Sequence, residues 1–370
     1  MDDKVVVIGG GLGGLTTAYL LAKGGKKVTV VEKKTYPFHR VCGEYVSNEV
    51  KNFLIKENLY PYEHDPINIS TFRLSAISGK MVDLPLDLGG FGISRYHFDQ
   101  FLYEKCLEIN VQFLLETQVL DVNYNNKSNL FDVNLSDGTS ITSNYVLGAF
   151  GKRSKMDKSL SRPFINTRTP YIGVKYHVKT DFPSHIVALH NFEGGYLGIN
   201  KVAKDTFNIC YLGSKHQLKK YGNISEMEKQ VLHKNPIISA LFHNSDFLFE
   251  KPEVINEVNF SSKEPINNHI LMIGDASGLI TPLCGNGMAI AIHSGKLAAE
   301  AILQNKNRND IERQYVDNWT KNFKTRLRVG RTVQKLFGTN LSSNIAVALL
   351  QKSSYIGTQI IKNTHGRIIV

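Results

Sequence analysis

The sequence has one tryptophan, four cysteines and no long apolar run. Cys42, Cys106, Cys210 and Cys284 are irregularly spaced and form no CxxC or CxxH pair, so neither a zinc site nor a disulfide framework is suggested. No stretch approaches the ~18 apolar residues of a membrane span. The run from Val5 to Ile8 is too short, and too soon interrupted by glycine, for a signal peptide. A cytoplasmic protein is expected. The 12 histidines include no HExxH pair, which argues against a metal site. His97, His177, His190 and His293 read more readily as satisfied polar residues than as catalysts. A GxSxG hydrolase elbow and a GxxxxGK[ST] phosphate loop are both missing. Acidic residues are in deficit, 33 against 44 Lys and Arg, for a net charge of +11. Between Lys321 and Lys352 there is no Asp or Glu, while Lys324, Arg326, Arg328, Arg331 and Lys335 accumulate. A solvated helical face is the plainest reading. The interleaved Leu327, Val333, Leu336 and Phe337 make peripheral membrane contact the second. Nucleic-acid binding comes last, since no recognition module is visible.

What is present is a core-forming chain, 370 residues long and 42% hydrophobic, enough for one domain with an inserted lobe. Val5 to Ile8 reads as a buried parallel strand, Leu15 to Lys23 as a helix and Val28 to Val31 as a second strand. Between the first strand and the helix lies Gly9-Gly10-Gly11-Leu12-Gly13-Gly14, which satisfies GxGxxG. Gly9 allows the turn, Gly11 lets backbone approach a pyrophosphate, and Gly14 lets helix and strand pack closely. The helix N-terminus then offers free N–H groups to the phosphates. Glu32 closes the second strand, where a carboxylate can bond a ribose hydroxyl. This motif alone allows NAD as readily as FAD.

Further along, strands are expected at 70–76 and 81–84, at 130–135 and 139–146 around Asp137-Gly138, and at 171–178, 186–189, 196–200 and 207–212. Helices are expected at 98–108 and 224–248. A short buried strand at 269–273 then ends in Gly274-Asp275 and leads through Pro282-Leu283-Cys284-Gly285-Asn286-Gly287 into a small-residue helix to Leu303. The Asp275 carboxylate can accept hydrogen bonds from sugar-alcohol hydroxyls. Backbone N–H groups at the helix start can stabilise an isoalloxazine that gains charge on reduction. This second site selects FAD.

The pair of motifs resembles the FAD-dependent aromatic-hydroxylase superfamily (the p-hydroxybenzoate hydroxylase fold), which includes monooxygenases, halogenases and geranylgeranyl reductases. The resemblance covers roughly residues 1–305. It implies an α/β protein: a Rossmann-like FAD-binding domain of the GR2 type with an inserted mixed or antiparallel substrate sheet and a C-terminal helical tail. The boundaries are 1–70, 93–168 and 260–305 for the first, 71–92 and 169–259 for the second, and 306–370 for the tail. Gly9, Gly11, Gly13, Gly14 and Glu32 would hold the ADP half of FAD, Asp275 the ribitol, and Gly285 and Gly287 the flavin. Arg95 in Ser94-Arg95-Tyr96 resembles an FAD-contacting arginine, and Val119 resembles a position whose backbone meets the adenine. Arg40-Val41-Cys42-Gly43-Glu44 resembles the Cys-Gly stretch of geranylgeranyl reductases, so Arg40 joins the cofactor set and Cys42 is the candidate catalytic residue near the flavin. Gly194-Gly195-Tyr196 and Gly198 resemble the Gly-Gly-Tyr-Gly stretch of the same group.

One departure bears on the electron donor. Phe150 stands where aromatic hydroxylases carry an acid that serves FAD and NADPH, so direct NAD(P)H use is in doubt and a separate flavin reductase is an expected partner. A halogenase Trp-x-Trp motif cannot exist with Trp319 alone. The favoured expectation is a monooxygenase of secondary metabolism that hydroxylates an aromatic or polyketide-like molecule through a flavin C4a-hydroperoxide. The alternatives are a geranylgeranyl reductase-type enzyme saturating isoprenoid double bonds and a degenerate flavin-binding partner protein.

Overall fold

The computed structural model describes residues 3–167, 169–256, 258–279, 285–334 and 337–370. Pro282, Leu283, Cys284, Lys335 and Leu336 lie outside the described residues. The β-branched strand Lys4–Ile8 sits inside a six-stranded sheet, flanked by Lys27–Val31 and Tyr145–Gly148. Gln112–Leu114 and Ile270–Met272 extend it in parallel, and Ile266–Asn267 closes one edge antiparallel. Alternation along the first strand explains its uninterrupted apolarity. Val5 and Val7 pack on the helices Leu12–Lys23, Arg95–Glu108 and Gly287–Gln304. Val6 and Ile8 pack on a three-stranded sheet of Val119–Asn125, Leu130–Leu135 and Ser140–Ser143.

The strand expected over 139–146 is two strands. Asn144 separates them: its Oδ1 accepts from the Lys4 amide at 2.9 Å and its own amide donates to the Lys4 carbonyl. Ser140–Ser143 stays in the small sheet while Tyr145–Gly148 enters the large one. The helix expected over 224–248 is likewise divided into Ile224–Val231 and Pro236–His243, followed by a two-residue strand. Asn235 caps the second piece through the Ile237 amide and Pro236 occupies its first turn, a position proline tolerates.

The second large sheet has strand order Asp246–Phe247, Tyr171–Lys179, Thr206–Ser214, Gly195–Ala203, Ile186–Phe192, Ile67–Ser75, Met81–Gly92 and Tyr45–Ser47, with Glu253–Asn256 also on Tyr171–Lys179. It is antiparallel except where Ile186–Phe192 meets Ile67–Ser75. Helices cover one face through Ile172, Val174 and Met227. Leu189, Tyr196 and Leu212 on the other face join Leu279 and the C-terminal residues Val347 and Leu350 in a separate apolar cluster. Strand Tyr45–Ser47 begins one residue after Glu44, so the Cys42 stretch leads directly into this sheet.

In the C-terminal region the basic run is solvated in part: Lys321, Lys324 and Arg328 are exposed, whereas Arg326 and the interleaved apolar side chains turn inward. Arg308–Trp319, Thr320–Lys324 and Thr325–Gln334 form a helical rod with Trp319, Phe323 and Leu327 in the main core. Val333 and Phe337 also pack inward, against the second sheet's cluster. Arg326 is buried in a two-contact pair with Glu49, both at 3.0 Å, and donates to the Thr364 carbonyl. Glu49 also accepts the Gly366 amide, so one carboxylate anchors both the rod and the chain's last residues. Removing one partner of such a pair leaves a buried uncompensated charge. Arg326→Ala is expected to lower unfolding free energy by about 3–5 kcal/mol, read by denaturant titration; a loss no larger than a surface pair gives would contradict the burial.

Candidate functional site

The glycine-rich turn closes where the first strand meets its helix. A Cβ on Gly14 would lie 2.1 Å from the Gly9 carbonyl oxygen, so strand and helix approach too closely for any side chain there. Gly9, Gly10 and Gly13 are also enclosed by protein. Gly11 differs: a Cβ there would meet only the Arg95 Nη2, at 3.7 Å. Its backbone is extended, with φ −89° and ψ −178°, and no side chain caps the helix it precedes. The turn thus keeps open space in front of free helix N–H groups, which is what a pyrophosphate requires.

Around that space the predicted residues converge. Glu32 Oε2 accepts the Gly10 amide at 2.9 Å and meets Arg40 Nη2 at 3.2 Å. Arg40 also donates to the Gly10 carbonyl and, through Nε, to Asp99 at 2.9 Å. Arg95 holds the same carboxylate with two hydrogen bonds of 2.6 and 2.7 Å. Asp99 is fully buried between the two guanidinium groups. Burial alone would lower the Arg95 pKa, but Asp99 and the neighbouring Cys42 hold it above its ordinary value. Asp99 was given no role from sequence, although its spacing four residues after Arg95 on one helix was a usable signal. Thr117 donates to the Glu32 carbonyl, bringing the start of strand Val119–Asn125 beside the same strand end.

The second motif arrives from the other side. Asp275 lies in a short turn after strand Ile270–Met272, partly exposed, with no hydrogen bond to its carboxylate from the described residues. Its backbone is fixed instead: Lys263 Nζ donates to the Asp275 carbonyl at 2.8 Å and to that of Lys152 at 2.7 Å. Burial pushes the Lys263 ammonium down to about 8, against the pull of Asp157 and Asp275. Gly287 opens its helix as expected. Gly285 has φ +64° and faces the Tyr45 ring, so this turn abuts the Cys42 stretch. The buried Asn286 Oδ1 has no hydrogen-bond partner.

Cys42 itself is partly buried, and its carbonyl accepts from Asn208 at 3.1 Å. Two residues on, Glu44 is completely buried in the left-handed region at φ 53°. Its Oε1 accepts from Lys175 Nζ at 2.5 Å and the Arg95 amide at 2.7 Å, and its Oε2 meets His177 Nε2 at 2.6 Å. Burial alone would raise this carboxyl; Lys175 and His177 overcome that and hold it at about 2. Burial, aided by Lys175, also lowers His39 beside them to about 4. The sequence reading set His177 aside as a satisfied polar residue, and it is satisfied, by Glu44. It gave Lys175 no attention. The signal was a lysine inside the apolar strand Tyr171–Lys179, two residues from His177 and so on the same face.

Phe150 turns away from this groove. Its ring packs with the core of the three-stranded sheet and lies 2.7 Å from where a Gly148 Cβ would be. Gly194, at φ +83°, forms the hairpin turn before strand Gly195–Ala203, and Tyr196 is buried against the Phe337 ring.

Comparisons with known proteins agree with this geometry. Residues 7–73 match the model of the NAD(P)-binding Rossmann-like domain. Over 95% of this chain and 75% of the other, it is 24% identical to conditioned medium factor receptor 1 of Dictyostelium discoideum. It is 23% identical to a menaquinone reductase of Mycobacterium tuberculosis over 82% and 77% of the two chains. With digeranylgeranylglycerophospholipid reductase 2 of Methanopyrus kandleri the identity is 24% over 91% and 87%. Among solved structures, a geranylgeranyl bacteriochlorophyll reductase-like protein from Thermoplasma acidophilum superposes with TM-score 0.79 at 19% identity, covering 98% and 95%. A flavin-dependent brominase gives 0.77 at 17% over 98% and 93%, and PqsL of Pseudomonas aeruginosa, described as "a probable FAD-dependent monooxygenase", 0.73 at 16% over 95% and 100%. What these proteins share with the chain is the fold, an α/β architecture with a Rossmann-like nucleotide-binding domain and C-terminal helices, as the glycine-rich motif led one to expect.

Glu44 generates a prediction with a definite sign. Its folded pKa, about 2, lies below the ordinary 4.5, so it contributes stability that is fully present above pH 4.5 and is lost as pH falls towards 2. Glu44→Gln leaves Lys175 buried without an opposite charge, and should cost about 3–5 kcal/mol at neutral pH. The variant should also lose that part of the acid dependence. Thermal unfolding of both proteins between pH 3 and 7 checks this, and parallel curves would refute it.

Proposed function

We propose that this protein is an FAD-dependent reductase that saturates carbon–carbon double bonds of an isoprenoid lipid. The observation that carries the reading is Cys42: its loop lies beside Arg95, next to the space before Gly11, and the buried Glu44 fixes it to the second sheet. Two relatives support the substrate class, since their names describe reduction of menaquinone and of a digeranylgeranyl phospholipid.

In this reading Gly11 and the helix N-terminus receive the pyrophosphate, with Glu32, Arg40 and Val119 at the adenosine end. Gly9, Gly13 and Gly14 shape the turn, Asp275 faces the ribitol, and Gly285 and Gly287 line the ring. Reduced FAD supplies a hydride when bound. Arg95, immobilised on Asp99, orients the phosphates and borders Cys42. Saturating a double bond also needs a proton on the second carbon, and Cys42 Sγ is the group that holds one there. Phe150 offers no carboxylate to a nicotinamide cofactor, so electrons come from a separate flavin reductase. The free basic residues of the C-terminal region supply a peripheral membrane contact that gives access to a lipid substrate; no helix among the described residues is long and apolar enough to cross a membrane.

Hydroxylation of an aromatic small molecule is the second reading, favoured by the likeness to the monooxygenase PqsL. Anaerobic single turnover separates the two. Protein reduced with dithionite should add two hydrogens per double bond to a polyprenyl lipid without oxygen. Cys42→Ser should slow this about 100-fold with FAD content unchanged. Recovery of the lipid unreduced, with oxygen incorporated into phenols in air, would replace reduction by hydroxylation.

A further inference from the structure

Helix Asn340–Lys352 has two apolar faces, and only one is used inside the protein. Ser343, Val347 and Leu350 are buried; Val347 and Leu350 join the cluster that lines the second sheet. Hydrogen bonds fix the helix in that orientation: Ser78 Oγ donates to Asn344 Oδ1 at 2.6 Å and Gln351 Nε2 to the Met81 carbonyl at 2.9 Å. Leu341, Ile345 and Leu349 then fall at four-residue spacing on the outer face, 74%, 57% and 47% exposed. Tyr355, at the start of the next helix, is 70% exposed. Scattered exposed leucines need no explanation, but an aligned stripe on a fixed helix does.

The charge around the stripe selects what can cover it. From Asn318 to Val370 there is no Asp or Glu, while nine Lys and Arg occur. Of these, Arg326 is spent on Glu49 and Lys362 lies 3.6 Å from Asp87. Among the described residues, Lys321, Lys324, Arg328, Arg331, Lys352 and Arg367 have no carboxylate within ion-pair distance. Helix Ser354–Thr364 packs on both Thr325–Gln334 and Asn340–Lys352, so the unpaired cations and the stripe belong to one packed unit. The acidic residues of the adjoining strand, Asp83 and Asp87, are already engaged with Arg73 and Lys362. An apolar stripe on a packed helical unit that carries uncompensated positive charge has the chemistry of an interfacial helix on an anionic lipid surface.

We propose that Leu341, Ile345 and Leu349 form the face by which this protein docks on an anionic membrane. Because Val347 and Leu350 on the same helix pack against the second sheet, docking holds that sheet close to the lipid surface. The inference rests on the isoprenoid-lipid reading for its purpose, but its test does not require turnover.

The FAD-loaded full chain is mixed with vesicles of phosphatidylglycerol and phosphatidylcholine, or of phosphatidylcholine alone, and bound protein is measured by flotation. Wild type should float with the anionic vesicles, and less so at high salt. Leu341→Ser/Ile345→Ser/Leu349→Ser should reduce the partition coefficient about tenfold or more, with an unchanged melting curve because all three side chains are exposed. No binding by wild type, or equal binding by the variant, would overturn the proposal. So would a wild-type dimer in light scattering that the triple variant converts to monomer, since the stripe would then cover a second copy. Reduction of polyprenyl lipid in detergent micelles should be the same for both proteins. Its absence in both would count against the substrate reading while the vesicle result stood.

Discussion

Glu44 must satisfy Lys175, His177 and the Arg95 amide with two oxygens in a place where water does not reach. The rest of the site depends on that arrangement. Lys175 and His177 belong to the second sheet, Arg95 begins a helix that packs on the first, and Glu44 follows Cys42 and Gly43 in the connecting stretch. Desolvating a carboxylate and an ammonium together is costly, and the stabilisation comes only if every hydrogen bond is made. The pair therefore tolerates few alternative positions of the two sheets, and a few tenths of an ångström at Glu44 are felt at Cys42. The left-handed backbone at Glu44 has the same basis: a glutamate adopts φ 53° only where its surroundings over-determine it.

A similar economy operates at the opposite end. Glu49 holds Arg326, the Gly366 amide and, through its own carbonyl, the Ile369 amide. The C-terminal rod thereby returns to the strand that follows Cys42, and Trp319 donates to Ser277 two residues beyond Asp275. Two buried carboxylates, five residues apart, thus tie one short segment to both the substrate sheet and the tail. The helices beyond residue 306 are thereby anchored to the segments that carry Asp275 and Cys42.

The nucleotide fold was legible because its signals are local. A β-branched strand, a glycine turn and a helix start each depend on neighbours in sequence, and Gly9, Gly11, Gly14 and Glu32 stand where that logic put them. Asp275 was legible for the same reason, as a carboxylate closing a short strand before glycines. Glu44–Lys175 was not, since the partners are 131 residues apart and nothing local distinguishes a buried lysine from an exposed one. The basic run was legible only in part: Lys321, Lys324 and Arg328 are exposed as a solvated face requires, but the burial of Arg326 is decided by Glu49, 277 residues away in sequence. The split at Asn144 turned on one side-chain hydrogen bond to Lys4, again a distant residue.

The central claim is that the space before Gly11 is kept for a pyrophosphate of FAD, and one substitution isolates it. Gly11 has extended backbone that any residue adopts, and a Cβ there meets no protein atom nearer than Arg95 Nη2, the end of a side chain, at 3.7 Å. Gly11→Val should therefore leave the melting temperature of the FAD-free protein unchanged. Titration with FAD, followed by the change in flavin fluorescence, should show tight binding by wild type and none by the variant. Equal binding by the two proteins, or no FAD binding by wild type, would contradict the account.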